Sequence, residues 1–194
     1  MDLPKIILAS ASPRRAEILR TAGWRFETLA VHIDETRHDD EEAVSYVKRL
    51  AREKAETAAL RSTGFIVVGA DTTVLVEEQI LEKPVDVHDA QRMLKLLSGR
   101  WHKVLTGVAV VDRKNPTRVE YQETAVKFAA MNDDDISWYV NSGEPMDKAG
   151  AYAIQGLGAR FIEGIRGDYF NVVGLPIRLV YELLESKQTG ADGE

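Results

Sequence analysis

Apolar positions recur along the chain in two rhythms and predict interleaved strands and helices. The first run, Lys5–Ala9, has strand length and leads to Ser12 and Pro13. Serine at the cap and proline at the first helical position start a helix, and Gly23 stops it. A strand is predicted over Trp24–Ala30. From about Glu41 to Leu60, the residues Val44, Val47, Leu50, Ala51, Ala55 and Ala58 fall on one helical face. Phe65–Gly69 is a continuous apolar run, as in a strand buried on both faces, and leads into Ala70-Asp71-Thr72. Thr73–Val76 and Gln79–Leu81 read as a hairpin around Glu77-Glu78. Asp86 and Asp89 start a helix with Ala90, Met93, Leu94 and Leu97 inward, ended by Gly99. His102–Val111 and Val119–Phe128 are strand-like, with a turn at Arg113-Lys114-Asn115-Pro116 between them. Asn132 and Asp135 form a capping pair for a helix to Asn141, stopped near Gly143. A last helix begins near Pro176 and turns Ile177, Val180, Leu183 and Leu184 inward.

This alternation predicts an α/β fold with antiparallel hairpins included, hence a mixed sheet. The chain has 194 residues, enough for one domain with a sub-lobe. Seven of the 14 glycines fall between Gly143 and Gly174, a density that points to a loop-built site. Residues 186–194 read as a flexible tail, because they carry no apolar anchor. No run approaches the ~20 apolar residues of a membrane span, and the N-terminus does not read as a secretory signal. The absence of cysteine removes disulfides, thiolate catalysis and cysteine-based zinc sites. A net charge of −6 argues against a duplex DNA binder, although a local basic cluster for a small anion fits inside an acidic protein.

Several residues are candidates for chemistry, each with a plainer reading beside it. Arg14 and Arg15 fall in the first turn of their helix, the end with partial positive charge, at a cost of a few tenths to ~1 kcal/mol each unless an anion is present. With the free N–H groups and the hydroxyls of Ser10 and Ser12 they make an anion site, or else two solvated arginines. Lys54 falls on the buried stripe of its helix, either as an anion ligand or as a lysine snorkelling at the stripe edge. Asp71 follows the apolar run, where α/β folds place reacting groups at strand C-termini; an aspartate that only turns the chain is the alternative. Thr72 shares that rim. Glu35 pairs with Asp71 as a hard-metal ligand or belongs to a solvated acidic loop. Lys83 before Pro84 is a strand-end cation or a surface lysine. Gln155, flanked by glycine, offers an amide to a base edge or a phosphate, or sits in a turn. The four histidines show no metal spacing, and no dinucleotide or P-loop motif is present.

Taken together, LASASPRR, GADTTV, EKP, DKAGAYAIQG and GDYFNVVGLP, in that order between Leu8 and Ile177, resemble the Maf family of nucleoside triphosphate pyrophosphatases. Asp-Thr after Gly-Ala and the AIQG glutamine resemble the branch acting on dTTP and UTP. The resemblance implies Asp71 as proton acceptor and places Arg14, Thr72 and Gln155 at positions tied to base specificity. It places Ser10, Arg15, Glu35, Lys54 and Lys83 among the polar positions lining the family's cleft. It also implies one catalytic domain over residues 1–185, with a mixed, elongated sheet flanked by helices and two lobes around a cleft, as in inosine triphosphate pyrophosphatases. A divalent cation (Mg²⁺ or Mn²⁺) and a cytoplasmic homodimer are implied as well, with neither nucleic acid nor a membrane as partner.

The expected reaction takes dTTP or UTP to the monophosphate and pyrophosphate, keeping such nucleotides, modified pyrimidines included, out of nucleic acid. Arg14, Arg15, Lys54 and Lys83 would clamp about four negative charges on the triphosphate. Asp71 and Glu35 would hold the metal, whose bound water has a lowered pKa. The other reading is a nucleotide-binding regulator of cell division or septum formation with little turnover.

Overall fold

The structure, a computed structural model, describes residues 3–185. The expected tail, residues 186–194, lies outside the described residues. In chain order the elements are β1 (Ile6–Ala9), α1 (Pro13–Thr21), β2 (Phe26–Thr28), α2 (Ala43–Leu60), β3 (Ile66–Val76), β4 (Gln79–Leu81), α3 (Val87–Leu97), β5 (Trp101–Asp112), β6 (Asn115–Phe128) and α4 (Asp133–Asn141). Three short 3-10 turns, Glu144–Asp147, Ala149–Ala151 and Gly156–Phe161, then occupy much of the glycine-rich stretch. They are followed by β7 (Ile162–Arg166), α5 (Tyr169–Val173) and α6 (Ile177–Glu185). Among the described residues no helix is long and apolar enough to cross a membrane.

The local start signals work as read. Ser12 accepts from the Arg15 N–H with Pro13 at the first helical position. Asp86 accepts from the Asp89 N–H, and Asn132 and Asp135 form a reciprocal capping box. Gly23 takes a left-handed φ of 75° just past α1, a conformation that costs glycine little.

The strands form one sheet of seven in the order β2-β1-β3-β5-β6-β7, with β4 bonded to β3. β1 is parallel to β2 and β3, whereas β4 is antiparallel to β3 and β7 to β6. The sheet is therefore mixed. Two compact units share its strands. The described part of the first comprises residues 3–71, 106–122 and 174–185, and the second comprises 72–105 and 123–173.

In the first unit α2 lies on the sheet at unusually close range. Ala51, Ala55 and Ala58 of α2 pack with Ile7, Ala9, Val67 and Ala109. A Cβ on Gly69 would run into the Ala51 carbonyl oxygen, and one on Gly107 into that of Val47. Two strand glycines and a row of helical alanines thus let helix backbone touch sheet backbone. The buried face of α2 holds Val47, Leu50, Ala51, Ala55 and Ala58 as the periodicity requires, and also Tyr46 and Lys54.

In the second unit α3 packs against α4. His102, Phe128 and Tyr152 meet edge to face, with centroids 4.7–5.2 Å apart. The His102 Nε2 lies 2.7 Å from the Tyr152 hydroxyl oxygen. Burial pushes the imidazole down to about 4, so it is neutral at pH 7.

The structure corrects the reading at three places. The run from Phe65 does not end at Gly69, because β3 continues unbroken to Val76. Asp71 therefore sits inside a long strand rather than at its C-terminal end. The chain reverses at Glu77-Glu78 as expected, both at positive φ (46° and 64°), as a two-residue hairpin loop demands. β7 and α5 carry too few residues for a periodic signal, and β7 exists through its pairing with β6. The strand expected over Trp24–Ala30 shortens to Phe26–Thr28, the residues that pair with β1.

Candidate functional site

The first unit gathers most of the expected polar residues around the start of α1 and the middle of β3. Ser10 follows β1, and its Oγ accepts from the Ser12 N–H (3.1 Å) and from Arg15 Nη1 (3.2 Å). Arg15 Nη1 also donates to the Ala70 carbonyl (2.8 Å), and its Nε donates to the Gly174 carbonyl (2.8 Å). The guanidinium therefore ties α1 to the peptide preceding Asp71 and to the residue that re-enters this unit at 174. Burial lowers the Arg15 pKa from its ordinary value, opposed by the Asp71 and Glu35 carboxylates and reinforced by Arg14. Arg14, its neighbour in the same turn, is half-buried.

Lys54 is the second organiser. Its position on the buried face of α2 leaves it 9% exposed, and its Nζ lies 2.6 Å from Asp71 Oδ1 and 2.7 Å from Glu35 Oε1. A buried ammonium is costly unless paired and hydrogen-bonded; here two carboxylates arriving from different segments meet that requirement. Of the two readings of Lys54, the snorkelling one fails, because the ammonium points to partners rather than to bulk water. Glu35 stays half exposed at its side chain (50%), whereas that of Asp71 is 13% exposed. The loop carrying Glu35 is pinned to α2: the Tyr46 hydroxyl donates to the Glu35 carbonyl (2.9 Å), and Arg49 donates to Glu41 (2.8 Å) and to the Thr36 carbonyl (3.0 Å).

Tyr46 and Arg49 did not stand out in the sequence. Tyr46 shares the buried face of α2 with Lys54, which is the signal that could have found it; Arg49, five residues before Lys54 and about 140° round the helix, had none. The Ala70 and Gly174 carbonyls had no signal, since a backbone acceptor carries no residue identity.

The cluster holds three cations (Arg14, Arg15, Lys54) and two carboxylates (Glu35, Asp71). A hard cation suits such oxygen donors, and the two carboxylates converge on one point. In the structure the Lys54 ammonium fills that point, and among the described residues no group of three His, Cys, Asp or Glu side chains forms a metal site. The two carboxylates are oxygen donors of the kind a hard divalent cation takes.

The remaining expected residues belong to the second unit. Thr72 is half-buried on β3. Lys83 is exposed in the segment after β4. Gln155 is exposed in extended conformation (φ −95°, ψ 158°), just ahead of the 3-10 turn Gly156–Phe161.

Comparison with known proteins places the chain in a family. The sequence model of a family described as Maf-like protein matches residues 5–187. A relative from Myxococcus xanthus (strain DK1622), named dTTP/UTP pyrophosphatase, is 51% identical over 184 residues, spanning 95% of this chain and 93% of its own. A protein of the same name from Koribacter versatilis (strain Ellin345) is 48% identical over 179 residues, 92% of each chain. Among solved structures, the Staphylococcus aureus Ham1 protein matches with a TM-score of 0.51 at 13% identity, covering 95% of this chain and 100% of that one; at that identity the likeness concerns the fold alone. With a family model covering nearly its whole length and relatives at about half identity, the chain belongs to the Maf family.

Proposed function

We propose that the chain is a nucleoside triphosphate pyrophosphatase. It hydrolyses dTTP and UTP, and modified pyrimidine nucleotides of similar shape, to the monophosphate and pyrophosphate, and so keeps them out of nucleic acid. The observation that carries this reading is the name dTTP/UTP pyrophosphatase on relatives 48–51% identical over more than nine-tenths of the chain. The geometry of the first unit supports it, since Asp71 is held among cations beside a helix start that favours anions.

In this proposal water attacks the phosphorus that joins nucleoside to pyrophosphate, in line with the leaving group. Asp71 accepts the proton of the attacking water. Arg14 and the N–H groups opening α1 bind phosphate oxygens, and Lys54 turns from the carboxylates to the phosphates. Arg15 and Ser10 hold the α1 start against β3, so the clamp is preorganised. A divalent cation held by Asp71 and Glu35, when bound, lowers the pKa of water and offsets phosphate charge. Lys83 is assigned to the phosphates, and Arg14, Thr72 and Gln155 to base selection, on the family resemblance. Residues 1–185 act as one catalytic domain in a cytoplasmic homodimer, also on that resemblance.

The test is release of pyrophosphate from dTTP and UTP by the purified protein with Mg²⁺ or Mn²⁺. Asp71→Asn is expected to lose nearly all turnover while still binding nucleotide. No release by the wild type overturns the activity; most activity retained in Asp71→Asn overturns the role of Asp71.

A further inference from the structure

Outside the cluster around Asp71, the carboxylate of Glu144 accepts three hydrogen bonds. Glu144 opens the 3-10 turn after α4, behind Gly143 at φ 78°. Its Oε1 accepts from the Tyr139 hydroxyl (2.8 Å) and the Gly158 N–H (3.0 Å), and its Oε2 accepts from the Leu157 N–H (2.9 Å). Tyr139 is fully buried, and its hydroxyl oxygen accepts the Ala153 N–H (3.1 Å). One carboxylate and one phenol thus hold backbone N–H groups at 153, 157 and 158, on both sides of Gln155. Burial alone would raise the Glu144 pKa, but the Leu157 and Gly158 N–H groups, the Tyr139 hydroxyl and Lys148 outweigh it and hold the group below the ordinary carboxylate value. The carboxylate is therefore ionised at neutral pH and acts as an acceptor only.

The glycines of this loop follow from the same contact. Gly156 has φ 76°, and a Cβ there would run into Glu144 Oε2. A Cβ on Gly158 would run into the Ala153 carbonyl oxygen. The turn closes on the carboxylate at close range, yet Gln155 itself is exposed. A loop whose backbone is held this firmly while its one amide side chain faces outward is built to present that side chain.

We propose that Glu144 is a positioning residue for base selection: by holding Leu157, Gly158 and Tyr139 it sets the turn that presents Gln155. This rests on the function proposed above. Glu144 touches no substrate in this scheme and acts through Gln155 only.

The test compares kcat/KM for dTTP with that for dGTP in wild type, Glu144→Gln, Gln155→Ala and the double variant. Glu144→Gln keeps one acceptor oxygen and loses the charge. The preference for dTTP is expected to fall about tenfold, the scale of one charge-assisted hydrogen bond, in each single variant. The double variant is expected to show no further loss, because both changes act at one point. Amide hydrogen exchange at Leu157 and Gly158 is expected to quicken in Glu144→Gln and to stay slow in Gln155→Ala. Gly156→Ala, which pushes on the carboxylate from the other side, serves where Glu144→Gln does not fold and is expected to behave alike. An unchanged preference in Glu144→Gln or Gly156→Ala, or additive losses in the double variant, overturns the proposal. Absence of hydrolysis by the wild type refutes the proposed function instead, and dTTP-over-dGTP binding by calorimetry on the same variants then decides the role of Glu144.

Discussion

Replacing Lys54 with methionine removes the ammonium and keeps most of the side chain's length and packing. The side chains of Lys54 and Asp71 are 11% and 13% exposed, and their contact is 2.6 Å. Removing one partner of a buried pair costs about 3–5 kcal/mol when the remaining charge stays out of water. Two features reduce that figure here. Glu35 has half its side-chain surface in solvent and rehydrates, so its own pairing contributes at most about 1 kcal/mol. Asp71 keeps the attraction of Arg15, and methionine sheds the desolvation cost of the lysine. A net loss of about 2 kcal/mol follows, which lowers Tm by about 4–8 °C in a chain of this length. The assay is urea and thermal unfolding at neutral pH, followed by circular dichroism, for Lys54→Met, Asp71→Asn and the double variant. The double variant removes both charges and is expected to recover stability relative to Lys54→Met. A Lys54→Met protein within about 0.5 kcal/mol of wild type, beyond which a surface change seldom goes, or a double variant less stable than both singles, would refute the reasoning.

Two further outcomes are expected. Gly69→Ala and Gly107→Ala each drive a methyl into the backbone of α2, so each is expected to cost about 3 kcal/mol or more, read by urea unfolding; a loss under about 1 kcal/mol would mean that α2 shifts freely on the sheet. Hydrogen bonds from Arg49, the largest cause, hold the Glu41 carboxyl at about 2 against an ordinary 4.5. A depressed carboxyl stabilises the fold above its unfolded pKa and loses that contribution as pH falls through its folded value. The stability gap between wild type and Glu41→Gln is therefore expected to be full near pH 6 and to shrink by more than half near pH 3; a gap that stays constant over that range would show that the pair does not carry it.

Much of this protein is local and could be read from residue order. A helix cap is a bond between residues three apart, so Ser12, Asp86 and the Asn132–Asp135 box announce their helices without help from the rest of the chain. The stripe of α2 is equally local, and it placed Lys54 on the buried face before any partner was known. The motifs carried the family.

What the residue order left open depends on groups brought together from far along the chain. Whether Asp71 ends a strand or lies within one is decided by strand pairing, which keeps Ala70–Thr72 extended. β7 and α5 exist by contact rather than by propensity. Lys54 binds partners 19 residues before it and 17 after it, so its pairing required the fold. Arg15 and Glu144 act on backbone carbonyls and N–H groups. Every residue but proline offers both groups, so no pattern of side chains could single out those particular ones. The sequence alone determined most of the elements and which residues carry charge; the tertiary structure decided the remaining elements and which charges meet, because burial and distance, not residue order, set the strength of each pairing.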